Sequence, residues 1–331
     1  MADVTKVIQV GMGPLGCMIT PVISRKTSLE IVGAVDVAPG IVGKKLSEVT
    51  SEPIDSVTVT GDLDTALRGK PDVAVVTTVS ELERLWPQIE PIIAAGVNVV
   101  STCEELSYPW TSQPELSSTM DRTARDAGVS ILGTGINPGF LMDFLPVAAT
   151  AVCNRVDSIL IERIQDASSR RLPFRQKIGA GLSPEAFDER VSSGKIRHVG
   201  LTESMHMVAA KLGWTLDRTE DVVEPVIAAE PVHGDGWTVE AGQATGVHQI
   251  GRGFVDGREV LSLIFRAAVG QADPRDTVTI SGDPDYTITV PGGTHGDTAT
   301  CAIIANAIPA VQNAPAGLRT MADMPPISAC P

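Results

Sequence analysis

The sequence predicts an α/β protein with two domains, a doubly wound parallel sheet followed by an α+β domain with an open mixed or antiparallel sheet. Three observations predict this. The chain has 331 residues, more than a single core usually accommodates. Strand and helix patterns alternate up to about residue 136, which is typical of a parallel sheet. Beyond residue 137 several strand patterns follow one another, which is typical of an α+β domain.

The first element is a short apolar strand, residues 7–10, that runs into a glycine-rich turn. Gly11, Gly13 and Gly16 have the G-x-G-x-x-G spacing of a dinucleotide-binding turn. Gly11 permits the tight turn, Gly13 lets the backbone approach a pyrophosphate, and Gly16 lets the next helix pack closely. An ordinary glycine-rich turn is the alternative, but its position after the first strand favours a Rossmann-type domain. The turn residues expected to bind the cofactor are Gly11, Met12, Gly13, Pro14, Leu15 and Gly16.

The second strand, residues 30–36, ends in Asp36, about 20 residues past the last glycine. An acidic residue there commonly binds the ribose hydroxyls of the adenosine, although it can also be a simple turn residue. Its charge disfavours a 2′-phosphate, and no arginine follows at once. NAD is therefore the expected cofactor, with NADP as the alternative. Lys44 and Lys45 are expected to face solvent on a short helix, residues 41–49.

The rest of the first domain continues the alternation of strands and helices. The continuous apolar run at residues 72–78 is what a strand buried on both faces requires. Asp62 is a plausible N-cap. The further strands are expected at residues 57–60, 97–103 and 129–135, and the helices at 62–68, 82–95 and 113–127.

Ligands of such sheets bind beyond the carboxyl ends of the strands, and polar residues follow three of them. Thr77 and Thr78 end the fourth strand and are expected near the nicotinamide ribose. Ser101 and Cys103 end the fifth. Asn137 follows the sixth, where its amide is expected to bind a cofactor carboxamide or substrate, or else to mark a turn before Pro138.

Glu104 and Glu105 stand next to each other at the end of the fifth strand and are the candidate catalytic residues. Successive strand residues point in opposite directions, so one of the two is expected to face the crevice, and Glu104 is preferred. A carboxylate there can relay protons or bind a cationic amine. The alternative is that both glutamates cap the next loop or lie in solvent.

The second domain is predicted over residues 137–299, with substrate binding and dimerisation as its roles. The charged stretch Arg163, Asp166, Arg170, Arg171 and Arg175 is expected to be a solvated loop rather than a clamp for a substrate carboxylate. A helix is expected over residues 140–151, and others at 184–192 and 203–212. The strands are expected at residues 156–165, 222–228, 244–253, 259–268, 276–280 and 286–290.

Three apolar side chains near the start of this domain, Phe140, Met142 and Phe144, are candidates for the lining of a substrate pocket. At least two of them are expected to lie in the core instead. The glycine-rich loop at residues 292–297 either closes over the active site or is a plain turn with an N-cap. The apolar helix at residues 297–311 must be buried, so residues 300–331 are expected to return to the first domain, residues 1–136.

Composition excludes several classes of function. The net charge of −14, without a basic block, argues against nucleic acid as a partner. No apolar run reaches the roughly 20 residues of a membrane span, and no signal sequence is evident, so a cytoplasmic protein is expected. The five cysteines and five histidines show no zinc-binding spacing, and no metal site is expected.

Four segments together resemble the 2,4-diaminopentanoate dehydrogenase family, which includes the native amine dehydrogenases and whose first domain is similar to dihydrodipicolinate reductase. They are the glycine turn and residues 101–109 (STCEELSYP), 133–143 (GTGINPGFLMD) and 315–325 (PAGLRTMADMP). The His-His pair of true dihydrodipicolinate reductases is absent. The resemblance implies reversible NAD(P)-dependent reductive amination of a ketone or aldehyde with ammonia. It also implies that the catalytic residue is Glu104 or Glu105.

Two other functions compete with this one. An alcohol or sugar dehydrogenase of similar build usually has a lysine after the acidic residue at this strand end, as in Glu-Lys-Pro, whereas this chain has Glu-Glu-Leu. A dinucleotide-binding sensor without catalysis would be indifferent to loss of either glutamate. In each case the expected partners are small molecules, and a homodimer is expected from the β-rich second domain.

Overall fold

The computed structural model describes residues 4–170 and 172–331, so Arg171 of the charged stretch lies outside the described residues. The chain forms two compact units. Unit 1 comprises residues 4–140 and 295–331, and unit 2 comprises residues 141–294. No helix among the described residues is both long enough and apolar enough to cross a bilayer.

Unit 1 is built on a seven-stranded sheet in which every neighbouring pair is parallel, in the order β15-β6-β5-β4-β1-β2-β3. The order reverses between β1 and β4, and the carboxyl ends of these two strands therefore flank the crevice where ligands of such sheets bind. The strands are β1 (Thr5–Val10), β2 (Leu29–Val35), β3 (Val59–Thr60), β4 (Val73–Val76), β5 (Asn98–Ser101) and β6 (Ser130–Gly133), with β15 (Gly317–Arg319) from the end of the chain.

The helices of unit 1 pack an apolar stripe against this sheet, most clearly in α4, where Leu85, Ile89 and Ile92 have no exposed surface. Asp62 caps α3 as predicted, since its carboxylate accepts hydrogen bonds from the backbone of Asp64 and Thr65. The helices are α1 (Pro14–Ser24), α2 (Leu46–Val49), α3 (Leu63–Leu67), α4 (Leu82–Ala94) and α5 (Pro114–Ala127), with α10 (Gly296–Gln312).

Two elements of unit 1 differ from the prediction. The helix expected at residues 41–49 is limited to α2, because Gly43 has a φ of +86° and Lys45 forms a bridge with Thr58. Lys44 and Lys45 are exposed, as predicted. The short strand β15, which extends the sheet beside β6, was not predicted.

Unit 2 is built on a six-stranded sheet in the order β14-β13-β7-β12-β11-β8. Only the β7–β12 pair is parallel, so the predicted open mixed sheet is confirmed. Its strands are β7 (Arg155–Asp166), β8 (Arg218–Ile227), β11 (Ala244–Val255), β12 (Arg258–Ala268), β13 (Arg275–Asp283) and β14 (Tyr286–Pro291), with a separate hairpin of β9 (Val232–Gly234) and β10 (Trp237–Val239). Its helices are α6 (Phe144–Ala149), α7 (Leu172–Lys177), α8 (Pro184–Ser192) and α9 (Leu201–Lys211).

The helix expected from residue 140 begins only at Phe144, because the buried carboxylate of Asp143 caps it. Helix α9 covers one face of the unit 2 sheet, where Gly251 and Gly253 leave room for Leu201 and Met205. The opposite face carries half-exposed apolar residues on adjacent strands, namely Leu160, Ile250 and Ile264, with Val222 exposed.

The prediction of a solvated charged stretch is wrong for Arg163. This side chain is 2% exposed and donates a hydrogen bond to Asp276, whose backbone register places it directly opposite on β13. Arg163 and Gln165 also donate to the carbonyl of Thr294, and Asp276 accepts from the nitrogen of Thr294. The loop that was predicted to be a lid or a plain turn is therefore fixed to the sheet at Thr294.

Candidate active site

Unit 1 contains a cleft of about 640 Å³ at the carboxyl ends of β1, β2 and β4. Five of the residues predicted to bind the cofactor line it: Gly11, Gly13, Asp36, Thr77 and Thr78. Sequence reasoning missed the rest of the wall, since helix α4 and the ends of β2 and β3 supply it through tertiary packing. The missed residues include Val37, Gly61, Leu63, Pro87, Gln88 and Pro91, whereas Val79 belongs to the predicted segment that follows the fourth strand. Most of them are apolar, which fits a planar adenine ring.

The three glycines of the turn serve different purposes. A Cβ on Gly16 would lie 2.0 Å from the carbonyl oxygen of Gly11, so helix α1 packs this closely only with glycine there. Gly11 has a φ of +91°, and a Cβ would lie 2.8 Å from the carbonyl oxygen of Thr77. A Cβ on Gly13 would meet no heavy atom within 4 Å. The open side at Gly13 is what the close approach of a pyrophosphate requires.

Helix α1 begins directly at this open side. Gly13 is its N-cap residue and supplies no side-chain cap, and Pro14 occupies the first position. The first backbone nitrogens of a helix lack partners within the helix and attract phosphate. Leu15 and Gly16 therefore offer a phosphate only their backbone nitrogens, and the side chain of Met12 is buried.

Asp36 is held at the end of β2 by two backbone nitrogens. Its Oδ2 accepts from the nitrogen of Met12 at 2.6 Å, and its Oδ1 accepts from the nitrogen of Ala38 at 2.7 Å. The side chain is half-buried and lines the cleft. Each carboxylate oxygen can accept a further hydrogen bond, so the carboxylate fits a ribose diol.

Ser101 and Cys103 are buried and are not among the residues that line the cleft. The Ser101 hydroxyl donates to the carbonyl of Val76 and accepts from the nitrogen of Cys103. The Cys103 thiol donates to the carbonyl of Ser80, and burial raises its pKa to about 12. Both side chains therefore shape the strand end and join it to Ser80, which follows the cleft residue Val79.

Glu104 and Glu105 open a 3₁₀ turn, Glu104–Ser107, directly after this strand end. Both are half-buried. The Oε2 of Glu105 accepts from the backbone nitrogen of Leu82 at 2.7 Å and from Nε2 of Gln113 at 3.3 Å. Leu82 is the first residue of α4, so Glu105 caps that helix. The Glu105 carboxylate is thus engaged in a structural contact at the start of α4.

The loop after β6 holds buried polar atoms that have no hydrogen-bond partner within the described residues. They are the side-chain oxygen and nitrogen of Asn137 and the hydroxyl of Thr134. Such atoms cost free energy unless a ligand or water pairs with them. An amide with both ends unpaired fits a ligand that donates and accepts, such as a carboxamide.

Of the three candidates for the substrate pocket, Met142 has no exposed surface and belongs to the core of unit 2. Phe140 in unit 1 and Phe144 in unit 2 are half-buried. Asp143, which the sequence did not single out, is buried and accepts a hydrogen bond from the hydroxyl of Ser204 at 2.9 Å. Within residues 4–170 and 172–331, no three His, Cys, Asp or Glu side chains are grouped so that they could bind a metal ion.

Comparison with known proteins gives a family and a fold. The model of the 2,4-diaminopentanoate dehydrogenase C-terminal domain matches residues 140–330. The 2,4-diaminopentanoate dehydrogenase of Acetoanaerobium sticklandii is 32% identical over 330 residues, which cover 97% of this chain and 93% of that protein.

Two solved structures share the fold. An amine dehydrogenase from Mycobacterium smegmatis has a TM-score of 0.84 at 24% identity, covering 99% of this chain and 98% of that one. The scyllo-inositol dehydrogenase of Lactobacillus casei, solved with NAD(H) and scyllo-inositol, has a TM-score of 0.53 at 14% identity, covering 87% of this chain and 76% of that one. At these identities the likeness concerns the fold alone.

Proposed function

The chain belongs to the 2,4-diaminopentanoate dehydrogenase family of NAD(P)-dependent oxidoreductases that act on CH–NH₂ groups, and we propose that it interconverts a small amine with its ketone or aldehyde and ammonia. The observation that carries the proposal is the 32% identity to a 2,4-diaminopentanoate dehydrogenase over nearly the whole chain. The resemblance stated from the sequence is confirmed by the same match.

The residues of the cleft fit a dinucleotide. The open side at Gly13 and the uncapped start of α1 would receive the pyrophosphate, and Asp36 would bind the ribose hydroxyls. Because the Asp36 carboxylate repels a 2′-phosphate, we propose a preference for NAD over NADP. Thr77 and Thr78 would contact the part of the cofactor beyond the pyrophosphate, and Asn137 would bind the carboxamide.

We assign proton transfer to Glu104. The Glu105 carboxylate caps α4, whereas Glu104 begins the turn that follows the strand end. Ammonia adds to the carbonyl carbon, and a proton passes from its nitrogen to the oxygen. The resulting hydroxyl then takes one proton from the protonated Glu104 carboxyl and leaves as water, which gives the iminium. A carboxylate beside this carbon can carry that proton and stabilise the resulting iminium by its charge. The bound nicotinamide supplies the hydride that converts the iminium to the amine.

Phe140 and Phe144 remain candidates for contact with the apolar part of the substrate, while the buried Met142 would act only by supporting its neighbours. The half-exposed face of the unit 2 sheet supports the expectation of a homodimer. Charged residues of both signs lie among the apolar residues of this face, for example the ion pair between Arg252 and Glu220. A cytoplasmic location stays a prediction from the sequence.

The test is the consumption of NADH with ammonia and a panel of short ketones and aldehydes. The reverse reaction is followed with NAD and 2,4-diaminopentanoate or unsubstituted short amines. The proposal expects turnover that requires ammonia. Turnover of carbonyl compounds without ammonia would indicate the alcohol dehydrogenase function, and tight NADH binding without turnover would indicate a sensor; either result contradicts the proposal.

A further inference from the structure

Gln9 is an amide in the middle of an apolar strand. Its side chain has no exposed surface, and Val7, Ile8 and Val10 beside it on β1 are buried too. Its Nε2 donates to the hydroxyl of Thr77 at 2.9 Å and to the carbonyl oxygen of Gly11 at 3.1 Å. Its Oε1 is buried and has no hydrogen-bond partner within the described residues. Nothing in the proposed reaction uses this side chain directly.

The orientation of the amide follows from its surroundings. The flipped amide would set Oε1 against the carbonyl oxygen of Gly11, two acceptors facing each other. The Thr77 hydroxyl, which accepts from Gln9, donates to the same Gly11 oxygen at 2.9 Å. One carbonyl of the cofactor-binding turn is therefore held by two buried donors, one from β1 and one from the end of β4.

This carbonyl belongs to the peptide that joins Gly11 to Met12. A trans peptide is planar, and its C=O and N–H point in opposite directions. With the Gly11 oxygen directed at Gln9 and Thr77, the Met12 N–H points the other way, where it donates to Oδ2 of Asp36. The Gln9 amide thus fixes the orientation of this peptide, and the peptide in turn fixes the direction in which the Met12 N–H meets the Asp36 carboxylate.

Fold stability gives no reason for glutamine at this position. A fully buried amide with an unpaired oxygen is less favourable than an apolar side chain of similar size. Val7, Ile8 and Val10 of the same strand are apolar and buried, so the interior around β1 accommodates apolar side chains. The advantage of glutamine is therefore the orientation that it imposes on the turn.

We infer that Gln9, together with Thr77, is a positioning residue that fixes the Gly11–Met12 peptide and through it the Asp36 carboxylate that selects the cofactor. The inference rests on the proposed binding of NAD(P). It predicts that loss of the Gln9 donor weakens NADH binding and also reduces the preference for NADH over NADPH, because Asp36 is then less firmly held.

The experiment measures the dissociation constants of NADH and NADPH by nucleotide fluorescence, with Tm as a measure of folding. In Gln9→Met, which keeps the length but not the donor, NADH binding is expected to weaken roughly tenfold, the effect of losing one buried hydrogen bond. The ratio of the two constants should move toward NADPH while Tm stays near that of the wild type. Ser117→Ala, which removes a buried hydroxyl from α5, is the matched control. It should leave the dissociation constants of NADH and NADPH unchanged.

A second pair of variants tests the same contact in case Gln9→Met does not fold. Thr77→Val removes the hydroxyl without changing the shape, and it should shift the ratio of the NADH and NADPH dissociation constants as Gln9→Met does. Thr77→Ser keeps the hydroxyl and should have the wild-type ratio. The inference is overturned if Gln9→Met and Thr77→Val keep the wild-type ratio. Failure of the wild type to bind either dinucleotide overturns the proposed function, and this inference with it.

Discussion

The carboxylate of Glu105 lies 2.7 Å from the backbone nitrogen of Leu82, the first residue of α4. The N-terminal nitrogens of a helix lack partners within the helix and carry partial positive charge. Glu105 satisfies one of them from a strand end 23 residues later in the chain. Glu105 therefore has a structural role in the described fold, as a cap of α4.

Glu105→Ala should destabilise unit 1 without abolishing cofactor binding. Loss of a capping carboxylate typically costs about 0.5–2 kcal/mol, and the partial exposure of Glu105 favours the lower half of that range. Urea unfolding measures the effect, with Glu90→Ala, an exposed residue later in α4, as the control. An unchanged stability together with lost NADH binding would contradict the capping role.

Gly13→Ala should fold normally and bind the cofactor poorly. Gly13 has a φ of −66°, which alanine adopts, and its Cβ would project into open space. In the proposed binding mode a methyl group there blocks the pyrophosphate, and a loss of about 1.4 kcal/mol is already a factor of ten in Kd. Gly16→Ala is the contrasting variant, since its Cβ would collide with Gly11 and lower Tm. Normal NADH binding by Gly13→Ala would place the cofactor elsewhere.

Asp36→Ser should shift the cofactor preference toward NADPH. The carboxylate is fixed by Met12 and Ala38 at the cleft. In the proposed binding mode its removal takes away both the ribose acceptor and the repulsion of a 2′-phosphate. A charge pair near 4 Å in water is worth about 1 kcal/mol, so we expect a change in the Kd ratio of several-fold to about tenfold. Asp64→Ala, a nearby exposed acid, should leave the ratio unchanged. The same shift in both variants would mean that general charge, not Asp36, sets the preference.

His198 should make unit 2 less stable in mild acid. Its ring stacks on Phe265, and burial, with the positive charges of Lys177, Arg163 and Arg197, lowers its pKa to about 3 from the ordinary 6.5. The unfolded chain therefore binds a proton below pH 6.5 that the folded chain refuses, so stability falls as the pH drops from 6.5 toward 3.

The measurement compares urea unfolding at about pH 7.5 and about pH 5 for wild type and His198→Gln. The variant should lose less stability between the two conditions. His233→Gln, which removes an exposed histidine, should behave like the wild type. An equal loss in wild type and His198→Gln would show that other groups cause the acid sensitivity.

The parts of the structure that the sequence predicted well are those set by local pattern. The glycine spacing, the apolar strands and the Asp62 cap each follow from a few consecutive residues. Five of the residues that these patterns singled out line the cleft. The remaining cleft wall depends on how α4 packs beside the sheet. No local pattern in residues 87–91 indicates a ligand.

The errors concern residues whose environment is decided by distant partners. The sequence predicted that Arg163 belongs to a solvated stretch. In the structure it lies in the interior, where Asp276, 113 residues away in the chain, compensates its charge. The position of the Glu105 carboxylate depends on its hydrogen bond with the backbone nitrogen of Leu82. The three-residue strand β15 forms because it pairs with the outer edge of β6. Gln9 gave a signal, a polar residue in an apolar strand, that could have been recognised from the sequence.

In the proposed function Glu104 carries the proton of an ammonia-dependent reaction. The most direct measurement is ammonia-dependent NADH oxidation by wild type, Glu104→Gln and Glu105→Gln, with NADH affinity measured for each. Loss of a general acid–base group typically lowers kcat by about 10²–10⁴. We predict a loss of that size in Glu104→Gln with NADH binding retained, and a change of a few-fold at most in Glu105→Gln. Loss of activity in Glu105→Gln alone, or full ammonia-dependent activity in Glu104→Gln, would contradict the assignment.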